Sequence, residues 1–218
     1  MRRVFNNLLN LLGPGVRGLL GLLALAYLAA AVGRWTNSFD LGSWIALRPS
    51  EVLQGRVWQM VTYPLAPANG LEFIINAIVI AWLGAMLERE WRRGQLWVFC
   101  IVAALGAGLV KLALCQLSPG PMTGTASIVF GLFAAWAKNC GHERVLIPGL
   151  GEISARWCAL GLAAISFLMM LAQAGWLESL LPLVGGLAGW LFLTLRQRQL
   201  HSQPARAVPN ERVRRLEI

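Results

Sequence analysis

Charge is scarce in this chain. Only 13% of its 218 residues are charged, about half the share of an ordinary soluble domain. That scarcity excludes a sizeable soluble domain. Histidine occurs twice, at His142 and His201, each in a charged segment outside the apolar runs. The four cysteines, Cys100, Cys115, Cys140 and Cys158, form no C-x-x-C pair and lie in or beside apolar runs. Buried thiols are expected, with no disulfide framework, no metal site and no cofactor. A small-x-small cleavage site after the first apolar run is also missing, so that run reads as a retained span rather than a signal peptide.

What the chain has is apolar length. Hydrophobic residues make up 57% of it, and several runs are long enough to cross about 30 Å of hydrocarbon. The composition is that of a polytopic all-α membrane protein. The net charge of +9 raises nucleic acid as a partner. Its basic residues instead sit in short loops and tails, as membrane proteins require, with no aromatic–basic interleaving on a soluble module.

Six spans are predicted, at about 18–33, 70–87, 95–116, 124–137, 157–175 and 179–195. Residues 1–17 read as a short amphipathic lead closed by Gly13-Pro14-Gly15. The membrane domain covers 18–195, and a basic tail runs 196–218. A mixed loop at 34–67 carries Trp35, Trp44 and Trp58, which suit the membrane interface. Arg2, Arg3, Arg17, Arg89, Arg92, Arg93, Lys138, Arg144, Arg156, Arg196 and Arg198 gather on one side, against Arg34, Arg48 and Arg56 on the other. The asymmetry places both termini in the cytoplasm. The short lead, without transit-peptide character, points to a bacterial inner membrane.

Four stretches stand out. Trp58-Gln59-Met60-Val61-Thr62-Tyr63-Pro64-Leu65 enters the second span, and Glu72-x-x-x-Asn76 lies within it, followed by Gly84 and Glu88. Gly124-Thr125-Ala126-Ser127 opens the fourth span, continuing through Phe130-Gly131-Leu132. The sixth holds Leu183-Val184-Gly185-Gly186-Leu187-Ala188-Gly189. In this order, on these spans, they resemble the rhomboid intramembrane proteases, whose patterns are W-R-x-x-T-[YF], H-x-x-x-N, G-x-S-G and H-x-x-G. The resemblance covers about residues 18–195 and implies a six-helix rhomboid-like bundle.

The departures fall on the chemistry. An intramembrane serine protease needs a hydroxyl, a base and oxyanion donors. By the resemblance, the nucleophile position is Ala126, the base position Leu183 and the first oxyanion position Glu72. Asn76 is retained. Thr125 and Ser127 are turned about 100° from the nucleophile position and are expected to hydrogen-bond neighbouring helices or backbone. The chain reads as a pseudoprotease without catalytic residues.

The resemblance then implies a protein that binds transmembrane segments of clients, in trafficking, quality control or assembly. The expected working surface is the lateral opening between the second and fifth spans. Its candidates are Phe73 and Trp82 on one side, and Trp157, Phe167, Met169, Met170 and Trp176 on the other. Methionine suits promiscuous contact. Two alternatives stand beside it: a structural subunit docked through the arginine-rich tail, and an enzyme using Glu72 for other chemistry. Glu72 and Lys111 are the charges that need an account, since a lone charge within a span costs several kcal/mol. Interfacial solvation by snorkelling is favoured over their pairing.

Overall fold

The structure, a computed structural model, describes residues 12–36, 40–66, 69–91, 94–139, 144–147 and 151–202. Its long helices are α1 (Pro14–Thr36), α5 (Gly70–Glu90), α6 (Gln95–Ala113), α7 (Ala126–Asn139), α8 (Ala155–Ala174) and α9 (Trp176–Ser202). The loop after α1 folds into α2 (Leu41–Ile45), α3 (Pro49–Leu53), α4 (Gln59–Thr62) and a 3-10 turn over Tyr63–Leu65. Strands β1 (Arg144–Ile147) and β2 (Gly151–Ser154) pair antiparallel between α7 and α8, Arg144 opposite Ser154 and Ile147 opposite Gly151. That hairpin departs from the all-α expectation. Val145, Ile147 and Ile153 favour extended backbone, and Pro148-Gly149 between them is a turn signal.

Among the described residues, five helices are long and apolar enough to cross a membrane: α1, α5, α6, α8 and α9. The fourth predicted span, α7, has 14 residues, which is about 21 Å at 1.5 Å per residue. Residues 114–125 before it form turns and a bridge rather than helix. Helix α7 is also the most enclosed helix, with Ile128 to Phe133, Ala135 and Trp136 all buried. Helices α5, α6, α8 and α9 all pack on it.

Boundaries shift at both ends. The first span starts at Pro14 rather than 18, because proline suits the first helical turn. The sixth runs on to Ser202, so the first residues assigned to the tail are helix. Most of the 1–17 lead and tail residues 203–218 lie outside the described residues, as do Cys140 and His142.

Two motifs are explained by packing. A Cβ on Gly84 would lie 2.8 Å from Val16 Cγ2, so α1 and α5 touch through a glycine. One turn on, Glu88 accepts from the amides of Gly15 at 2.7 Å and Val16 at 2.9 Å. A carboxylate thus satisfies free N–H groups at the start of α1 and opposes the positive end of its dipole. In the loop, the fully buried Gln59 donates to Glu51 Oε2 at 2.7 Å and to the Trp44 carbonyl at 3.3 Å, and accepts from the Arg48 amide at 3.1 Å. It anchors α2, α3 and α4 to one another.

Candidate functional site

The site begins at Gly124. Its φ of +86° is one that residues with a Cβ rarely adopt. That turn lets its amide donate to the Ala66 carbonyl at 3.0 Å while the Thr125 carbonyl accepts from Ile128 and Val129 at 3.0 Å. The first loop is therefore tied to the start of α7. A second tie pairs Leu47 with Met122 by two backbone bonds of 3.0 and 2.8 Å.

Ala126 is the first residue of α7. It lines a cavity of about 380 Å³ with Asn69, Leu71, Glu72, Ile75 and Asn76 on one side and Ser166, Met169 and Met170 on the other, over Val129 and Phe130. The cavity lies between α5 and α8, each of which packs on α7. Ala126, Glu72 and Asn76 are thus brought together. Asn69 caps α5, its side chain accepting from the Glu72 amide at 2.7 Å and donating to Glu72 Oε2 at 3.3 Å. Asn76 Nδ2 lies 3.5 Å from Glu72 Oε1. The polar floor is one short network on one helix, with its carboxylate toward the cavity.

A second cavity of about 270 Å³ opens beside the first. Gly124, Ala126, Ser127 and Met170 line it, with Glu178, Leu181 and Pro182 from α9. Leu183 is half-buried and is not among the lining residues. The register of α9 gives the reason. A Cβ on Gly185 would lie 2.8 Å from Ser127 Cβ, and one on Gly189 would lie 3.7 Å from Gly131 Cα. Residues four and seven positions before Gly189 share that face at 3.6 residues per turn. Counting back places Gly186 at its edge, Gly185 in it, and Pro182 on the same stripe. The residue across from Ala126 is Pro182, one position before Leu183, and the H-x-x-G spacing is then met by Pro182-Leu183-Val184-Gly185. The expectation at Leu183 counts the same spacing from Gly186 instead of Gly185.

His201 lies 18 positions beyond Leu183 on the same helix, about 27 Å away at 1.5 Å per residue. Ser127 is fully buried, and its Oγ lies 2.6 Å from Tyr63 Oη, which also donates to the Ala104 carbonyl at 3.3 Å. Ser127 and Tyr63 knit the loop to α6 and α7. Thr125 is buried at the helix entry.

The client candidates divide. Met169 and Met170 line the larger cavity. Phe73 stacks on Tyr27 at 4.5 Å, turned to α1 and away from α8. Trp82 leans on Trp136 at 5.4 Å, two turns and more along α5 from Glu72. Trp157 begins α8 and Trp176 begins α9, both outward-facing. Phe167 is half-buried and not in the lining. Leu71, Ile75 and Ser166 were missed. Leu71 and Ile75 are one helical turn apart, as are Glu72 and Asn76, so the motif's own spacing could have found them.

Lys111 does not snorkel and does not meet Glu72. It is fully buried and donates to Ser118 Oγ at 2.5 Å and Glu178 Oε1 at 2.9 Å. Ser118 Oγ in turn bonds Glu178 Oε1. Lys111, Ser118 and Glu178 thus form one clasp. It joins α6, the segment before α7 and α9 at the edge of the smaller cavity.

These helices, entry turn and glycine contacts are those of a rhomboid-like membrane bundle. The family described as "Eukaryotic integral membrane protein (DUF1751)" matches residues 17–211. The chain belongs to that family, and with it to the rhomboid superfamily. A curated relative, the "Rhomboid protease GlpG homolog" of Cronobacter sakazakii (strain ATCC BAA-894), is 24% identical over 150 residues, 68% of this chain. The chain spans about half, 53%, of that relative's length. The protein is an integral, multi-pass membrane protein. The family description is of eukaryotic proteins, so the expected bacterial inner membrane finds no support in it.

Proposed function

We propose that this protein binds transmembrane segments of other membrane proteins and does not cleave them. The observation that carries the reading is the cavity of about 380 Å³ between α5 and α8, with Ala126 in its wall. Leu71, Ile75, Val129, Met169 and Met170 give it apolar walls, and Asn69, Glu72 and Asn76 a polar floor. Such a site suits a helix carrying a polar or small residue, which gains partners there that lipid cannot give. Absence of cleavage is supported by a methyl group at Ala126 and a ring without a basic nitrogen at Pro182. The narrower location follows the charge asymmetry, with both termini on the cytoplasmic side. A bacterial inner membrane agrees with the bacterial relative. The structural-subunit alternative rests on a tail outside the described residues.

Photocrosslinking in proteoliposomes tests this. A photoreactive residue at Met169 should capture an added single-span peptide with a central asparagine and spare a polyleucine span. The same label at Trp157, outward-facing on the same helix, should show no such preference. Equal capture at both positions, or cleavage of the peptide, overturns the reading.

A further inference from the structure

At the other end of the bundle, away from Gly124, a third cavity of about 360 Å³ opens where four helices meet. Its walls are Glu90 and Trp91 at the end of α5, Gln95 at the start of α6, Lys138 and Asn139 closing α7, and Leu193, Arg196 and Gln197 of α9. Two basic side chains face it against one carboxylate. Arg198, one residue beyond the lining, acts as a further like charge on Lys138. Lys138 is held in place: its Nζ donates to Thr194 Oγ1 at 2.6 Å and lies 5.3 Å from the centre of the Trp190 ring. Among the described residues, Asn139 Oδ1 is buried without a hydrogen-bond partner, and a turn of this side chain, which lines the cavity, would bring the oxygen to a donor there.

We propose that this cavity holds a phosphate-bearing anion whose other end carries hydroxyl groups, presented as the headgroup of an acidic glycerophospholipid. Lys138 and Arg196 are cations placed for the phosphate. A headgroup hydroxyl supplies the donor that Asn139 Oδ1 lacks. Trp91 and Trp190 mark the level of the lipid headgroups, and basic pockets between helices at that level take acidic lipids. A zwitterionic choline headgroup brings no hydroxyl donor and a cation of its own, so it fits neither feature.

The test is native mass spectrometry of the full chain released from nanodiscs of phosphatidylglycerol and phosphatidylcholine. Phosphatidylglycerol should be retained in preference. Arg196→Gln should cut retention by about fivefold, the equivalent of roughly 1 kcal/mol per basic residue near an anionic surface. Arg156→Gln, which removes a basic residue outside the cavity, should leave retention unchanged. Asn139→Leu should narrow the gap between phosphatidylglycerol and phosphatidic acid, which lacks the hydroxyls. Thermal melts in detergent with glycerol 3-phosphate or inorganic phosphate separate the sources. A stabilisation lost in Arg196→Gln supports the same site with a soluble ligand. Equal retention of phosphatidylcholine, or an unchanged Arg196→Gln whose melting matches the parent, overturns the proposal.

Discussion

Lys111 and Glu178, 67 positions apart, meet at 2.9 Å across α6 and the start of α9, with Lys111 fully buried and the Glu178 side chain 30% exposed. The pair explains how a charge can sit inside this bundle. Removing one partner should cost far more than removing both. Glu178→Gln leaves a buried ammonium short of its counter-charge and should destabilise by about 3 kcal/mol. Lys111→Met with Glu178→Gln should recover most of that loss. Melting temperatures of the two singles and the double in one detergent give the coupling. Additive losses would mean the pair contributes nothing.

The glycines of α9 give a second contrast. Gly185 lies against Ser127, where a Cβ would be 2.8 Å from the serine Cβ and 3.0 Å from its carbonyl oxygen. Gly161 on α8 has nothing within 4 Å. Gly185→Ala should cost about 1–3 kcal/mol by overpacking. Gly161→Ala should be neutral or gain up to about 1 kcal/mol, since alanine is the better helix former. Equal melting shifts for the two would mean α9 can back away from α7.

The first loop should loosen in acid. The Gln59 side-chain bond, helped by the Arg56 and Arg48 guanidiniums, holds the Glu51 carboxyl below its ordinary 4.5, against a smaller opposing effect of burial. A carboxylate with a lowered folded value stabilises above its unfolded value, and that contribution fades as pH falls through the folded one. Loop stability should therefore be flat above pH 4.5 and drop below it. Glu51→Gln should flatten the drop in a melting series from pH 6 to pH 3. An unchanged slope in that variant would place the titrating group elsewhere.

Some of this was legible without coordinates. Period and hydropathy located the helices, although the sixth runs seven residues past its expected end, and the order of short motifs pointed to the right superfamily. Pairing was harder. Lys111 stands out as a charge that needs an account, and snorkelling looked sufficient because its partner Glu178 lies on a distant span, where spacing rules have no reach. The register of α9 failed for a different reason. Gly185-Gly186 offers two anchors, both against α7, and the lining of the smaller cavity, which holds Pro182 and not Leu183, chooses between them. Phe73 looked like part of the opening because aromatic residues suit both a cavity and a helix contact, and Tyr27 claimed it.

That register can be tested by rebuilding chemistry. Ala126 opens α7 in the cavity wall, and Pro182 lies across the smaller cavity from it. Ala126→Ser alone should not react with a serine-directed phosphonate, because a lone hydroxyl stays protonated without a base. Adding Pro182→His puts an imidazole on the stripe that carries Gly185 and Gly189, and also restores an amide that can bond within the helix. Adding Leu183→His turns the ring about 100° away. Nucleophile and base act as a unit, so labelling should appear in the first pair and be absent from the second. It should stay weak while Glu72 presents a carboxylate to the developing oxyanion, and rise when Glu72→His is added, since the oxyanion needs donors. Labelling in the Leu183→His pair alone would return the base position to Leu183 and displace Pro182 from the site.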